Sequence, residues 1–217
     1  MQIFDLTFTC GLLYNKSAMI TIIDYGAGNL MSVSNALDAL GGKAKVSGDA
    51  DEIARADKLI LPGVGAFGEC MKKLREHGID EAVKAAAAKG TPLLGICLGL
   101  QMLFERSEEF GDHEGLGLLA GSVTKLKSGG LPLPHIAWTS IDVHGGRLLS
   151  GIESGEFFYF VHSYCAHAGD KRDEAASAEY GETFTAAAER DNVFGVQFHP
   201  EKSGARGLAI LKNFMGI

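Results

Sequence analysis

Cys97 is the residue of this sequence best placed to act as a nucleophile. It sits in Leu93-Leu94-Gly95-Ile96-Cys97-Leu98-Gly99-Leu100-Gln101, where an apolar run reads as a buried strand and the next residues read as a helix. A glycine two positions away on each side gives G-x-C-x-G, the cysteine form of a nucleophile elbow. A strand that turns directly into a helix strains its central residue and crowds the flanking positions, so side chains at 95 and 99 would clash. The turn also sets the sulfur at the positive end of a helix, where thiolate is favoured over thiol. The plain alternative is a packed core cysteine; the paired glycines at a strand–helix junction favour the nucleophile.

A thiolate needs a base, and seven histidines are available. His199 lies in Val196-Gln197-Phe198-His199-Pro200-Glu201, and the proline biases it to an extended backbone. Residues two apart on an extended chain share a face, so Glu201 can hold the imidazole of His199. That is a Cys–His–acid set in which the acid orients the base. Cys97 and His199 are 102 positions apart, which suits residues at the ends of two neighbouring strands.

The segment Leu61-Pro62-Gly63-Val64-Gly65-Ala66-Phe67-Gly68 contains a literal G-x-G-x-x-G. It is discounted as a dinucleotide site: Pro62 is expected to break the strand-to-loop turn, the strand is the third, and no acid follows the next strand. The other use of such glycines is to free backbone N–H groups, here of Val64 and Gly65, for a developing oxyanion. Gly26 and Gly28 also fail the dinucleotide pattern and read as a tight turn. Cys10, Cys70 and Cys165 read as packing residues, His77 and His144 as solvated. Phe157–Tyr164 reads as a core strand with His162 and Ser163 at its end, and the acidic run 105–112 as a solvated helix terminus.

The elements that must position these groups follow from periodicity. Strands are expected over 20–24, 43–46, 58–61 and 91–96, with helices over 30–40, 50–55, 70–76, 79–89 and 98–106. This alternation implies a parallel sheet covered by helices on both faces. Short β pieces follow over 122–127, 135–143, 156–162, 174–179, 184–189 and 193–198, then a helix over 207–214. The whole reads as one domain: α/β, a mostly parallel central sheet with an antiparallel β extension. It is expected to start at Met19, with residues 1–18 a leader; an extra edge strand over Ile3–Thr9 is the alternative.

Composition limits the rest. Twenty basic and 27 acidic residues leave a net charge of −7 in 217 residues, which gives no general attraction to nucleic acid. The four cysteines show no C-x-x-C spacing, which disfavours a zinc knuckle, and no apolar stretch reaches membrane-span length. No basic n-region opens the chain, so a signal peptide is not expected. A reducing, cytoplasmic setting fits. Glycine, at 29 residues, is the one compositional excess.

Together, Gly95–Gly99 with Gln101, the Pro62–Gly65 loop and His199-Pro200-Glu201 resemble the class I glutamine amidotransferases. Further motifs resemble the glutaminase subunits of imidazole glycerol phosphate synthase: Asp24–Asn29, Pro62–Gly68, Pro134-His135-Ile136 with Trp138, Phe158–Tyr164 and Phe198–Ser203. The resemblance spans residues 19–217 and implies a three-layer sandwich. It also implies that Cys97 forms a thioester with glutamine, releasing ammonia and then glutamate, with His199 moving protons and Glu201 orienting it. Val64 and Leu98 would form the oxyanion hole. Gly63, Gly65, Gln101, Glu109, His162, Ser163 and Tyr164 would surround the substrate, with no cofactor and no metal. Ammonia would pass to a cyclase subunit in a heterodimer, giving imidazole glycerol phosphate and an aminoimidazole carboxamide ribotide in histidine biosynthesis. Asn29, Trp138, Tyr159 and Lys202 would face that partner. The chain departs from the family pattern at Pro132, where a lysine is usual, and at Ala137 and Thr139 around Trp138. Other cysteine-triad enzymes, or a nucleotide-binding module built on Gly63–Gly68, are the rival readings.

Overall fold

The computed structural model describes residues 18–217. The expected leader, apart from Ala18, and the alternative strand over Ile3–Thr9 lie outside the described residues. The first half alternates strand and helix: β1 (Ile20–Ile23), α1 (Leu30–Ala39), β2 (Ala44–Ser47), α2 (Ala50–Ala54), β3 (Lys58–Gly63), α3 (Phe67–Glu76), α4 (Ile79–Ala88), β4 (Leu93–Cys97) and α5 (Leu98–Leu103). Then come β5 (Phe104–Ser107), β6 (His113–Glu114), β7 (Leu119–Lys125), β8 (His135–Val143), β9 (Phe157–His162), β10 (Tyr164–Ala168), β11 (Glu174–Glu179), β12 (Thr183–Arg190), β13 (Val193–Val196) and α6 (Gly204–Gly216).

Nine strands form one sheet in the order β2-β1-β3-β4-β13-β12-β11-β8-β9. The five from β2 to β13 run parallel, and the remaining four continue the sheet antiparallel. The expected extension therefore grows from the edge of the parallel half. Strands β1, β3, β4 and β13 are buried at every position, as strands covered on both faces must be. Alternation sends Ile22, Ile60 and Leu94 into a core beneath α1 and α6, and Ile23, Leu59, Leu61 and Leu93 into a second core beneath α2–α5.

Three expectations are corrected. The helix after Cys97 ends at Leu103 rather than 106, because Phe104 turns extended (ψ 173°) and pairs with Leu119 of β7. The acidic run is accordingly not a solvated helix terminus. Glu105 Oε2 accepts the Gly121 N–H at 2.8 Å and Glu108 Oε1 accepts the Lys125 N–H at 2.9 Å, tying this segment to β7. Pro62 does not break its strand: β3 has parted from β1 beyond Ile60, so the missing proline N–H costs no bond there. Sequence periodicity also missed β6 and β10, which with β5 and β7 build a separate four-stranded sheet in the order β10-β7-β5-β6.

The last strand matters most for function. β13 inserts beside β4 with Val196 opposite Ile96, so the chain leaves both strands at the same sheet edge. Close approach of α5 to this part of the sheet rests on Gly99, where a Cβ would lie 1.8 Å from the Leu61 carbonyl oxygen. Gly90, just past α4, has φ +90° with nothing within 4 Å of a Cβ. Urea unfolding should therefore separate two substitutions. Gly90→Ala is expected to cost about 1 kcal/mol of backbone strain, and Gly99→Ala about 3 kcal/mol or more.

Candidate active site

Cys97 ends β4 and begins α5 with φ +56° and ψ −110°, a strained backbone for a non-glycine residue. The surroundings impose it. A Cβ at Gly95 would lie 2.6 Å from Gly99 C, and one at Gly195 of β13 would lie 2.3 Å from Leu100 Cδ1. The thiol is nearly buried; Sγ is 3.8 Å from the Val161 carbonyl oxygen and 3.8 Å from the Gln197 side-chain amide.

His199 and Glu201 follow β13 and meet Cys97 at the sheet edge. His199 Nδ1 donates to Glu201 Oε1 at 2.9 Å, since a carboxylate can only accept. That leaves Nε2 for the Cys97 side. Burial works against the imidazolium, but hydrogen bonds and charge from Cys97 and Glu201 outweigh it and raise the His199 pKa to about 10. Asn29 Nδ2 also donates to Glu201 Oε1, at 3.3 Å. The backbone of His199 is fixed as well. Its N–H donates to the Tyr159 carbonyl at 2.9 Å, and Ser203 Oγ bridges the His199 carbonyl (2.6 Å) and the Tyr159 N–H (2.9 Å).

A cleft of about 310 Å³ opens over Cys97. Its walls include Val64, Gly65, Leu98, Gln101, Glu109, His162, Ser163, Tyr164 and His199, together with Pro134 and Lys202. Gly63 is not on the wall; it packs behind the elbow, where a Cβ would lie 2.8 Å from the Gly99 nitrogen. Gln101 is buried, and its Nε2 donates to the Tyr164 carbonyl (2.8 Å) and to Gln197 Oε1 (3.0 Å). Glu109 Oε2 accepts the Phe67 N–H at 2.6 Å, capping α3, whose own Ala66 offers no side-chain cap. Trp138 is half exposed beside Tyr159, its cross-strand neighbour, away from the cleft wall.

Residues 21–216 decide the relationship: the family described as glutamine amidotransferase class-I matches this chain over that span. The chain belongs to that family. It is 48% identical over 200 residues to the imidazole glycerol phosphate synthase subunit HisH of Sulfurimonas denitrificans, covering 90% of this chain and 97% of that one. To the same subunit of Geobacillus thermodenitrificans it is 51% identical over 205 residues, covering 92% and 96%. Two solved structures share the fold. One is described as a glutamine amidotransferase (TM-score 0.72, 20% identity, 91% of this chain and 99% of that one). The other is PurLQS from Thermotoga maritima (TM-score 0.72, 21% identity, 92% and 98%). The expected fold class stands, as does enzyme membership in the class-I amidotransferases. Among the described residues no helix is long and apolar enough to cross a membrane.

This amidotransferase also holds polar residues behind the cleft wall to which sequence reasoning gave no role: Gln197, Ser203 and His135, which contact Cys97, His199 and His162. Gln197 precedes His199 by two positions, and that alternation was the available signal. His135 is reached through His162. His162 Nδ1 donates to the Tyr164 carbonyl at 2.9 Å, so in a neutral ring Nε2 accepts. His135 Nδ1 must then donate to it across 3.0 Å, and His135 Nε2 accepts from the Thr139 hydroxyl at 2.7 Å. Every proton in the chain is assigned once both rings are neutral.

Burial keeps them so, lowering the pKa of His135 to about 4 and that of His162 to about 3. Both folded values lie below the ordinary 6.5, so the unfolded chain takes up protons first as pH falls. Stability should decline from pH 6.5 toward 4. Each ring contributes up to about 1.4 kcal/mol per pH unit. Urea melts across that range should give a shallower pH slope for His135→Gln than for the parent.

Proposed function

We propose that this chain is the glutaminase subunit of an imidazole glycerol phosphate synthase, acting in histidine biosynthesis through an ammonia-accepting cyclase. The observation that carries the reading is the convergence, at one cleft, of a strained Cys97 and a buried His199 hydrogen-bonded to Glu201. Cys97 gives its thiol proton to His199 Nε2, and its sulfur attacks the carboxamide carbon of glutamine, forming an S–C bond as the carbonyl π electrons move to oxygen. The N–H groups of Val64 and Leu98 stabilise that oxyanion. His199 passes its Nε2 proton to the departing nitrogen; the C–N bond breaks and ammonia leaves. Water then loses a proton to His199 and opens the thioester, releasing glutamate and restoring the thiol.

The remaining cleft residues hold the substrate. Glu109, His162, Ser163 and Tyr164 surround the amino-acid end, with Gly65 lining the loop side. Gln101 serves them by locking the Tyr164 carbonyl. Gly63 contributes through the loop it packs rather than by contact. Asn29, Trp138, Tyr159 and Lys202 form the face toward the cyclase, where exposed Ile136 and Trp138 offer apolar area. The pair is a heterodimer in the cytoplasm, and residues 19–217 are one amidotransferase domain. At the departures from the family pattern, Pro132 accepts from the Tyr180 hydroxyl at 2.8 Å and Thr139 serves His135. Both are thus engaged inside this chain.

The test uses the chain together with a cyclase subunit. Cys97→Ala should lower glutamine-dependent synthesis by at least about 10³-fold while ammonia-dependent synthesis persists. Glutamine turnover retained in that variant, or strong peptide hydrolysis by the parent, overturns the reading.

A further inference from the structure

Behind the cleft, three side chains have the types and separations of metal ligands. Cys165 and His167 lie two apart on β10, so both side chains leave the strand on one face. The turn between β11 and β12 brings Glu182 against them. Cys165 Sγ is 3.5 Å from His167 Nε2 and 4.0 Å from Glu182 Oε1, and the three donor atoms all lie within 4.8 Å of one another. A tetrahedral zinc ion, with sulfur at about 2.3 Å and nitrogen or oxygen at about 2.1 Å, holds its donors about 3.6 Å apart. The two separations from Cys165 Sγ, 3.5 Å and 4.0 Å, lie close to that value.

The geometry points to a metal site separate from the amidotransferase centre, in which Cys165, His167 and Glu182 hold one zinc-like divalent cation. A thiolate, an imidazole and one carboxylate suit zinc and exclude a magnesium- or calcium-type oxygen cage. Cys165 is fully buried, whereas His167 and Glu182 are half-buried, so the open side admits water as a fourth ligand. Glu182 Oε1 also accepts the Lys127 N–H at 2.5 Å, a bond that fixes the carboxylate from behind.

Two features oppose binding and shape its behaviour. The Lys127 ammonium lies 4.0 Å from Glu182 Oε2, but its side chain is 82% exposed and can swing into water. Burial pushes the Cys165 thiol up to about 12, with Glu182 and Glu108 adding to the effect and Lys127 opposing it. The cation must therefore displace the thiol proton to solvent as the metal–sulfur bond forms, and affinity must fall as pH falls. An occupied site would tie β10 of the four-stranded sheet to the β11–β12 turn of the nine-stranded one.

Cobalt(II), a coloured stand-in for zinc, tests this in the full chain carrying Cys97→Ala, which removes the catalytic thiol. One equivalent should bind with a thiolate-to-cobalt charge-transfer band that zinc abolishes, and zinc should raise Tm. Adding Cys165→Ser should remove the band, adding His167→Gln should weaken binding at least tenfold, and adding Lys127→Gln should tighten it. The half-exposed position of His167 keeps its variant informative if the Cys165 variant does not fold. Absence of the band, or a band and Tm shift unchanged by both Cys165→Ser and His167→Gln, overturns the site.

Discussion

The carbonyl oxygen of Leu61 sits where a side chain at position 99 would have to go, and the rest of the site follows from that contact. Helix α5 lies on the backbone of the sheet rather than on its side chains. Gly95 from β4, Gly195 from β13 and Gly63 from β3 each face α5 or its first turn at distances that a Cβ would close below 3 Å. A helix held this near leaves the residue at its start one path out of the strand, and Cys97 takes it with φ +56°. Such a backbone costs about 1–3 kcal/mol. The fully buried Leu100, Met102 and Leu103 of α5 supply the packing that holds it.

The same constraint explains how a distant base arrives. Gly195 allows β13 to lie under Leu100, and β13 pairs with β4 in register from Val193–Leu93 to Val196–Ile96. Past that register backbone bonds continue from Gln197 to Ala186 and from His199 to Tyr159, and side chains add to them. Ser203 joins the His199 carbonyl to Tyr159, and Asn29 reaches Glu201 from the start of α1. Two of the four proposed partner-facing residues, Asn29 and Tyr159, are thus one hydrogen bond from the acid and the base.

Local signals made much of this legible. The two glycines around Cys97 and the i, i+2 spacing of His199 and Glu201 depend only on near neighbours, and β8 and β11 fall within the residues their alternation marks. What stayed hidden depends on tertiary pairing. Phe104-Glu105-Arg106-Ser107 continues a helical pattern, yet its strand exists because β7 is there to receive it. Ser203, Gln197 and His135 are ordinary polar residues in the sequence, and their importance lies in the atoms they bridge. Cys165-Ala166-His167 has no ligand spacing of its own; Glu182 reaches it through a turn fifteen positions on.

Burial alone does not decide which histidine at the cleft carries charge. His199 and His162 are similarly enclosed, and both lose hydration, yet one is pushed up to about 10 and the other down to about 3. The difference lies in what each ring faces. His199 has the Cys97 sulfur on one side and the Glu201 carboxylate on Nδ1, and the hydrogen bond and negative charge of each favour the cation. His162 has one carbonyl and the neutral ring of His135, whose Nδ1 already donates to it. A proton on His162 would leave two N–H groups facing each other and would also repel an imidazolium at His199. The cleft therefore accommodates one imidazolium, and Cys97 and Glu201 together assign it to the ring between them, where the proposed chemistry needs a proton to give and a place to put it back.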